Sequence, residues 1–249
     1  MTHTRDDGQS LVDGWRREAA NLADNGLYSP ADERDNCGVG MVAATDGRPR
    51  REVVQAGIDA LKAVWHRGAV DADGKTGDGA GIHVEIPQAF FRAHVEATGH
   101  RPGSQRIAVG MMFLPRTDLD AQERCRVIVE REILQYGYTI YGWRQVPVDT
   151  TVIGEKANAA RPEIEQIMIA NTRGRPTWRL EADLYIIRRR IEKAIQAESI
   201  TDFYCCSLSC RSIIYKGMFL AEQVTDFYPD LLDERFESSF AIFHQRYST

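Results

Sequence analysis

The sequence lacks long hydrophobic runs and any strongly basic segment. No apolar stretch approaches the ~20 residues that a membrane-spanning helix needs, and the first thirty residues have no apolar core of the kind found in secretory signals. The formal net charge is −5, and no basic stripe with interleaved aromatic residues is present. Composition therefore predicts neither a membrane segment nor a nucleic-acid partner.

Cysteine is also scarce, and its placement excludes a disulfide framework. The chain has five cysteines, an odd number, and Cys205 and Cys206 are adjacent. This usage fits reduced thiols in the cytoplasm. The spacing of Cys205, Cys206 and Cys210 matches no standard iron–sulfur or zinc pattern, and adjacent strand residues point to opposite faces. We therefore predict a cytoplasmic protein with no metal site in this chain, and with Cys125 in the hydrophobic core.

The composition that is present is that of a globular protein. Of the 249 residues, 43% are hydrophobic and 27% charged, which suits one large domain with a substantial core. Residues 1–36 are polar and acidic, and their few apolar residues predict one or two amphipathic turns. Residues 37–249 show alternating strand and helix patterns without a repeat or linker, which indicates one mixed α/β domain. The pattern alone does not distinguish a parallel sheet from two stacked antiparallel sheets.

Apolar periodicity locates most of the secondary structure. Helices are predicted over residues 51–65, 88–97, 118–136 and 180–197. Strands are predicted after Cys37, and over 82–86, 107–114, 138–148, 165–170, 203–215 (as two strands) and 238–247. The spacing of a Walker phosphate loop fails at Ala69. The Gly- and Asp-rich residues 71–81 are therefore interpreted as a backbone-permissive, structural loop that packs around the active site.

Cys37 is the first candidate for catalysis. It is followed by Gly38-Val39-Gly40 and a short apolar run. Small residues beside a thiol allow a substrate or another backbone segment to approach closely. A lone cysteine next to glycine is, however, more often a small buried hydrophobe than a nucleophile. This position taken alone leaves both interpretations open.

Four motifs that occur in order along the chain favour the interpretation of Cys37 as a nucleophile. They are Cys37-Gly-Val-Gly-Met-Val, Trp65-His-Arg-Gly-Ala69, Asp73-Gly-Lys-Thr-Gly-Asp-Gly-Ala-Gly81 and Phe243-His-Gln-Arg-Tyr-Ser-Thr249. Together they resemble the amino-terminal region of glutamate synthase large subunits, a class II glutamine amidotransferase domain of the N-terminal-nucleophile type. The resemblance covers residues 37–249. It implies an α/β fold of four layers (αββα), with two stacked antiparallel sheets between helices.

The same resemblance implies a nucleophile and its base. In this family a leader is removed and the cysteine becomes the first residue of the mature chain. Residues 1–36 would then be a propeptide that is cut between Asn36 and Cys37. A free α-amino group, with a pKa near ~8, is matched to a thiol near ~8.5 for proton exchange, whereas a peptide nitrogen has no usable basicity.

Further site residues are implied by the other motifs. Arg246 would bind the α-carboxylate of glutamine, because a guanidinium forms two parallel hydrogen bonds to a carboxylate. Arg67 and Gly68, with Gly38, would support the active site. For residues 66–68 the alternative is that they only terminate the preceding helix, with Gly68 as the C-terminal stop.

The implied activity is hydrolysis of glutamine through a cysteinyl thioester, which gives glutamate and ammonia. The ammonia would serve glutamate synthesis from 2-oxoglutarate in ammonia assimilation. FMN, an iron–sulfur cluster, the synthase domains of the same subunit and a small reductase subunit are implied for parts outside these 249 residues, and no cofactor is expected in this chain.

Two other functions remain open from the sequence. One is a stand-alone class II amidotransferase subunit, and the other is an unprocessed, non-catalytic module that binds glutamine. In the family, the donors of the oxyanion hole come from an Asn-Gly pair after the motif at residues 243–249. No such pair follows Arg246. We therefore expect a truncated amidotransferase domain, incomplete at its C-terminal end and nearly inactive by itself.

Overall fold

The computed structural model describes residues 6–26 and 37–246. The chain divides into two units, Met1–Asn36 and Cys37–Thr249. In the first unit, helix α1 spans Asp6–Asn25, which is longer than the predicted one or two turns. The stretch contains no proline, and residues 15–22 are rich in Arg, Glu and Ala, which have high helix propensity.

The described part of the second unit contains eight strands and six α-helices. The strands are β1 Gly38–Ala43, β2 Ala80–Glu85, β3 Ala108–Leu114, β4 Thr139–Gln145, β5 Glu163–Ala170, β6 Tyr204–Ser209, β7 Ser212–Gly217 and β8 Phe240–Gln245. The helices are α2 Arg51–Ala63, α3 Gln88–Ala97, α4 Leu119–Gln135, α5 Glu155–Ala160, α6 Thr177–Ala197 and α7 Val224–Phe227. Every predicted strand and long helix is present, whereas the six-residue α5 was not predicted.

The strands form two four-stranded antiparallel sheets. Their orders are β1-β8-β2-β7 and β4-β5-β3-β6. Helix α2 packs on the first sheet, while α4 and α6 pack on the second. The predicted four-layer αββα sandwich is therefore confirmed. No helix within residues 6–26 and 37–246 is long and apolar enough to cross a bilayer.

The second sheet is buried on both faces, and neighbouring residues on its strands enter different cores. Cys206 lies in the larger core, which extends from α2 through the first sheet to the second. Cys205 lies in the smaller core against α4 and α6, as the alternation of a strand predicts. Burial raises the pKa of both thiols to about 12. Cys125 is also fully buried in the smaller core, as predicted. These three thiols are structural.

A buried ion pair connects the second sheet to the 3₁₀ helix Pro229–Leu232. Arg144 on β4 donates two hydrogen bonds to Asp230, at 2.7 and 2.5 Å. The Tyr215 hydroxyl on β7 donates a third, at 2.9 Å, and itself accepts one from Gln166 at 2.8 Å. Because Asp230 is only 5% exposed, its charge depends on these partners for compensation.

Replacing Asp230 by Asn leaves the Arg144 guanidinium buried without its counter-charge. Removing one partner of a buried pair typically costs about 3–5 kcal/mol, which lowers the melting temperature of a chain of this size by at least ~6 °C. Thermal unfolding followed by tryptophan fluorescence measures this shift. Arg124→Ala is the control, since it breaks an exposed pair with Asp120 worth at most about 1 kcal/mol. Equal melting temperatures for the two variants would contradict a structural role for the buried pair.

Candidate functional site

The candidate site lies at one end of the first sheet, where three strands begin or end side by side. Gly38 at the start of β1 pairs with Gln245 at the end of β8. Ala80 at the start of β2 pairs with Gln245 on its other side. The register therefore places Cys37 and Arg246, one residue further along each strand, at the same end of the sheet. Cys37 is partly exposed there.

Arg246 leaves the β8 ladder in a strained backbone conformation. Its φ is +84°, a region that residues other than glycine rarely occupy. Its backbone N–H donates to the carbonyl oxygen of Gly79, just before β2, at 2.7 Å. Its side-chain Nε lies 3.5 Å from Oδ2 of Asp78. Strain of this kind concentrates at functional sites, where the surrounding structure holds it in place.

The three predicted supporting residues also lie at this end of the sheet. A Cβ atom on Gly38 would lie 3.2 Å from both Cβ and Cγ of Arg67, so the Arg67 stem packs against the Gly38 backbone. A Cβ atom on Gly68 would lie 2.1 Å from Nε2 of Gln245. The sequence therefore needs glycine at residue 68 to let the turn approach the end of β8.

Gly68 ends the helical segment, but its backbone conformation there does not by itself require glycine. Helix α2 ends at Ala63, and a single 3₁₀ turn, Trp65–Arg67, follows. Gly68 has φ −86° and ψ 155°, which is extended backbone and not the left-handed conformation of a glycine stop. Gly68 is nevertheless the C-cap of this 3₁₀ turn, and its backbone N–H donates to the carbonyl oxygen of Trp65 at 3.0 Å. Its proximity to Gln245 is a separate reason for glycine at this position.

Two polar residues at the site were not predicted. Gln245 is 1% exposed, and neither of its amide atoms has a hydrogen-bond partner within the described part of the chain. The alternation of β8 could have indicated it, since Ala241 and Phe243, two and four residues earlier, are also buried. Asp78 lies in the loop that was interpreted as structural, and no feature of the sequence distinguishes it from the neighbouring aspartates.

A cavity of about 610 Å³ lies between the two sheets and reaches Arg246 and Gly79. Most of its wall is apolar, and His83 and His244 also line it. Burial lowers the pKa of both histidines. Arg246 and Gly79 are among the residues that line the cavity, whereas Cys37 is not. Its volume is in the range of small-molecule sites.

A comparison with known protein families shows to which family the chain belongs. Residues 37–249 match the family described as Glutamine amidotransferases class-II. The chain belongs to the class II glutamine amidotransferases. The start of the match at Cys37 coincides with the start of the second unit of the structure.

Several glutamate synthases are similar to this class II amidotransferase chain. The large chain of the NADPH enzyme of Azospirillum brasilense is 66% identical over the whole chain and 16% of that protein. The ferredoxin-dependent glutamate synthase 1 of Arabidopsis thaliana is 39% identical over 94% of the chain and 14% of that protein. The large chain of the NADPH enzyme of Bacillus subtilis is 39% identical over 90% of the chain and 15% of that protein. The chain therefore spans about a seventh of the length of these relatives.

The contact between Gly68 and Gln245 predicts a sharp effect of one added methyl group. Gly68→Ala forces the Gln245 amide or the 65–68 turn to move, and small misplacements near reacting groups can cost on the order of 10²-fold in rate. We expect kcat/KM for glutamine hydrolysis by the full-length protein to fall at least tenfold. Gly103→Ala is the matched control, because a Cβ atom there meets nothing within 4 Å. The same activity in both variants would remove Gly68 from the site.

Proposed function

We propose that residues 37–249 form the glutaminase domain of a glutamate synthase. The observation that carries the proposal is the register of β1 and β8, which brings a partly exposed cysteine and an arginine to the same end of one sheet. The family match over these residues and the identity to glutamate synthases support it. The substrate is glutamine, and the products of this domain are glutamate and ammonia.

The chemistry follows from the roles of Cys37 and Arg246. Arg246 binds the α-carboxylate of glutamine and so places the side-chain amide near the thiol. The thiol gives its proton to the base, and the sulfur attacks the amide carbon. The base returns the proton to the leaving nitrogen. The C–N bond then breaks, which releases ammonia and leaves a γ-glutamyl thioester on Cys37. Water then cleaves the thioester and releases glutamate.

The base in this proposal is the α-amino group of Cys37 itself. Residues 1–36 are then a leader that is removed between Asn36 and Cys37. The division of the chain at this boundary and the start of the family match at residue 37 support the proposal. Asn36 lies outside the described residues, as do Tyr247, Ser248 and Thr249 of the last motif.

The proposal also covers the use of the ammonia, which needs domains outside these 249 residues. We propose that it reacts with 2-oxoglutarate in synthase domains of the same subunit, with FMN, an iron–sulfur cluster and a small reductase subunit. Within residues 6–26 and 37–246 no group of three or more His, Cys, Asp or Glu side chains could hold a metal ion. The five free thiols suit a reducing cytoplasm.

The removal of the leader can be tested directly by mass spectrometry. The amino terminus of the purified full-length protein should be Cys37, because only a free α-amino group supplies the base. An active protein that retains Asn36 would contradict this mechanism. An inactive protein that retains Asn36 but binds glutamine would favour the alternative of a non-catalytic binding module.

Replacing the nucleophile tests the activity. Cys37→Ser in the full-length protein should abolish glutamine-dependent glutamate synthesis, since a serine hydroxyl is a much weaker nucleophile near neutral pH. Synthesis from added ammonia should persist, because it bypasses this site. Cys205→Ala is the control, because that thiol is buried between β6 and the helices and should leave turnover unchanged. Glutamine-dependent activity near that of the unmodified protein in Cys37→Ser would refute the proposed function.

A further inference from the structure

Asp78 is a carboxylate held directly against Arg246. Its Oδ2 lies 3.5 Å from the Nε of Arg246, and the two side chains are 25% and 33% exposed. The next residue, Gly79, accepts a hydrogen bond from the Arg246 backbone at 2.7 Å. Residues 78 and 79 therefore contact both the backbone and the side chain of the strained Arg246.

The loop that carries Asp78 is itself fixed. The Asp78 backbone N–H donates to the carbonyl oxygen of Ala69 at 3.2 Å. Earlier in the loop, Asp73 accepts from the Thr76 backbone at 2.7 Å and from its hydroxyl at 2.5 Å. Hydrogen bonding to Thr76 lowers the pKa of Asp73 to about 2, so these contacts persist at neutral pH. Asp78 is presented to Arg246 by an ordered segment.

Asp78 also adjoins the space that requires glycine at residue 68. A Cβ atom on Gly68 would lie 3.4 Å from Oδ1 of Asp78 and 2.1 Å from Nε2 of Gln245. Oδ1 of Asp78 and both amide atoms of Gln245 are buried, and none of them has a hydrogen-bond partner among the residues that the structure describes. Buried polar atoms without partners are costly, and a ligand or a water molecule that binds at this end of the sheet would satisfy them.

We propose that Asp78 is a positioning residue, which holds the Arg246 guanidinium in the orientation that binds the α-carboxylate of glutamine. This role rests on the proposed function, because it needs Arg246 as the carboxylate site. An arginine side chain has many rotamers, and fixing it before the ligand arrives reduces the entropy lost on binding. The contact with Asp78 is at Nε, and a guanidinium has five N–H donors, so binding Asp78 and binding a second carboxylate are geometrically compatible.

Asp78 also has an opposing electrostatic effect, which weakens the binding of glutamine. A carboxylate beside Arg246 competes with the ligand carboxylate for the same positive charge. If competition outweighs positioning, removing the charge of Asp78 strengthens the binding of glutamine. The direction of the change in KM therefore decides between the two effects.

The test is Asp78→Asn in the full-length protein, which keeps the shape of the side chain and removes its charge. We expect KM for glutamine to rise about tenfold with kcat within about threefold, the pattern of lost substrate binding. Inactivation by 6-diazo-5-oxo-L-norleucine, which carries the same α-carboxylate, should slow about tenfold. Alkylation of Cys37 by iodoacetamide, which has no carboxylate, should be unchanged. A merely structural defect would change the rates of reaction with both reagents together.

Two further variants complete the design. Asp71→Asn is the matched control, because Asp71 lies in the same loop but pairs with Lys156 at 2.6 Å, and its KM should stay within about twofold. Arg246→Ala should raise KM by itself, and adding Asp78→Asn to it should change KM by less than about twofold if Asp78 acts through Arg246. Additive effects in the double variant would refute the positioning role.

The outcomes separate this inference from the proposed function. An unchanged or lower KM in Asp78→Asn, with glutamine turnover still dependent on Cys37, refutes only the role of Asp78. Glutamine turnover that survives Cys37→Ser refutes the proposed function and with it the carboxylate site. Selective loss of binding for glutamine and its diazo analogue supports both.

Discussion

The position of β8 between β1 and β2 is the constraint on which the site depends. Both neighbours pair with it in antiparallel register, and Gln245 is opposite Gly38 on one side and Ala80 on the other. The flanking residues Cys37 and Arg246 therefore share one end of the sheet. A shift of one residue in either pairing would move the side chains of the strand to the opposite face. The hydrophobic residues of the strands thus fix the register that the chemistry needs.

The rest of the fold keeps this sheet in place. Its outer face is covered by α2, and its inner face packs against a second sheet that is itself covered by α4 and α6. The buried pair of Arg144 and Asp230 connects the second sheet to the segment that precedes β8. Packing is close on the outer face, where α2 covers β1 and β8. On the other face Val39 and Met41 of β1 are exposed, so the ladder between β1 and β8 is what holds the ends of these two strands together.

Several unfavourable or unusual local features lie at the same end of the sheet. Arg246 has a positive φ, and Gln245 and Asp78 bury polar atoms that lack partners within the described residues. Gly68 is needed where a Cβ atom would collide with Gln245. Such violations of local rules are expected where a site must accept a ligand. Their coincidence at one place is the structural argument that this end of the sheet is functional.

The sequence by itself determined the strands and long helices of residues 37–249 and the α/β class, and it indicated Cys37 as a candidate residue. Apolar periodicity located the strands and long helices because it reflects which side faces a core, and the adjacent Cys205 and Cys206 were correctly expected on opposite faces. The resemblance supplied Cys37, Arg246 and the two-sheet arrangement, which periodicity could not choose. Only the tertiary structure decided which distant residues meet. The glycine at residue 68 proved to be a packing contact, and Asp78 proved to be the carboxylate beside Arg246. Neither could be read from local pattern, because both depend on how close the loops at residues 65–68 and 71–79 approach the end of β8.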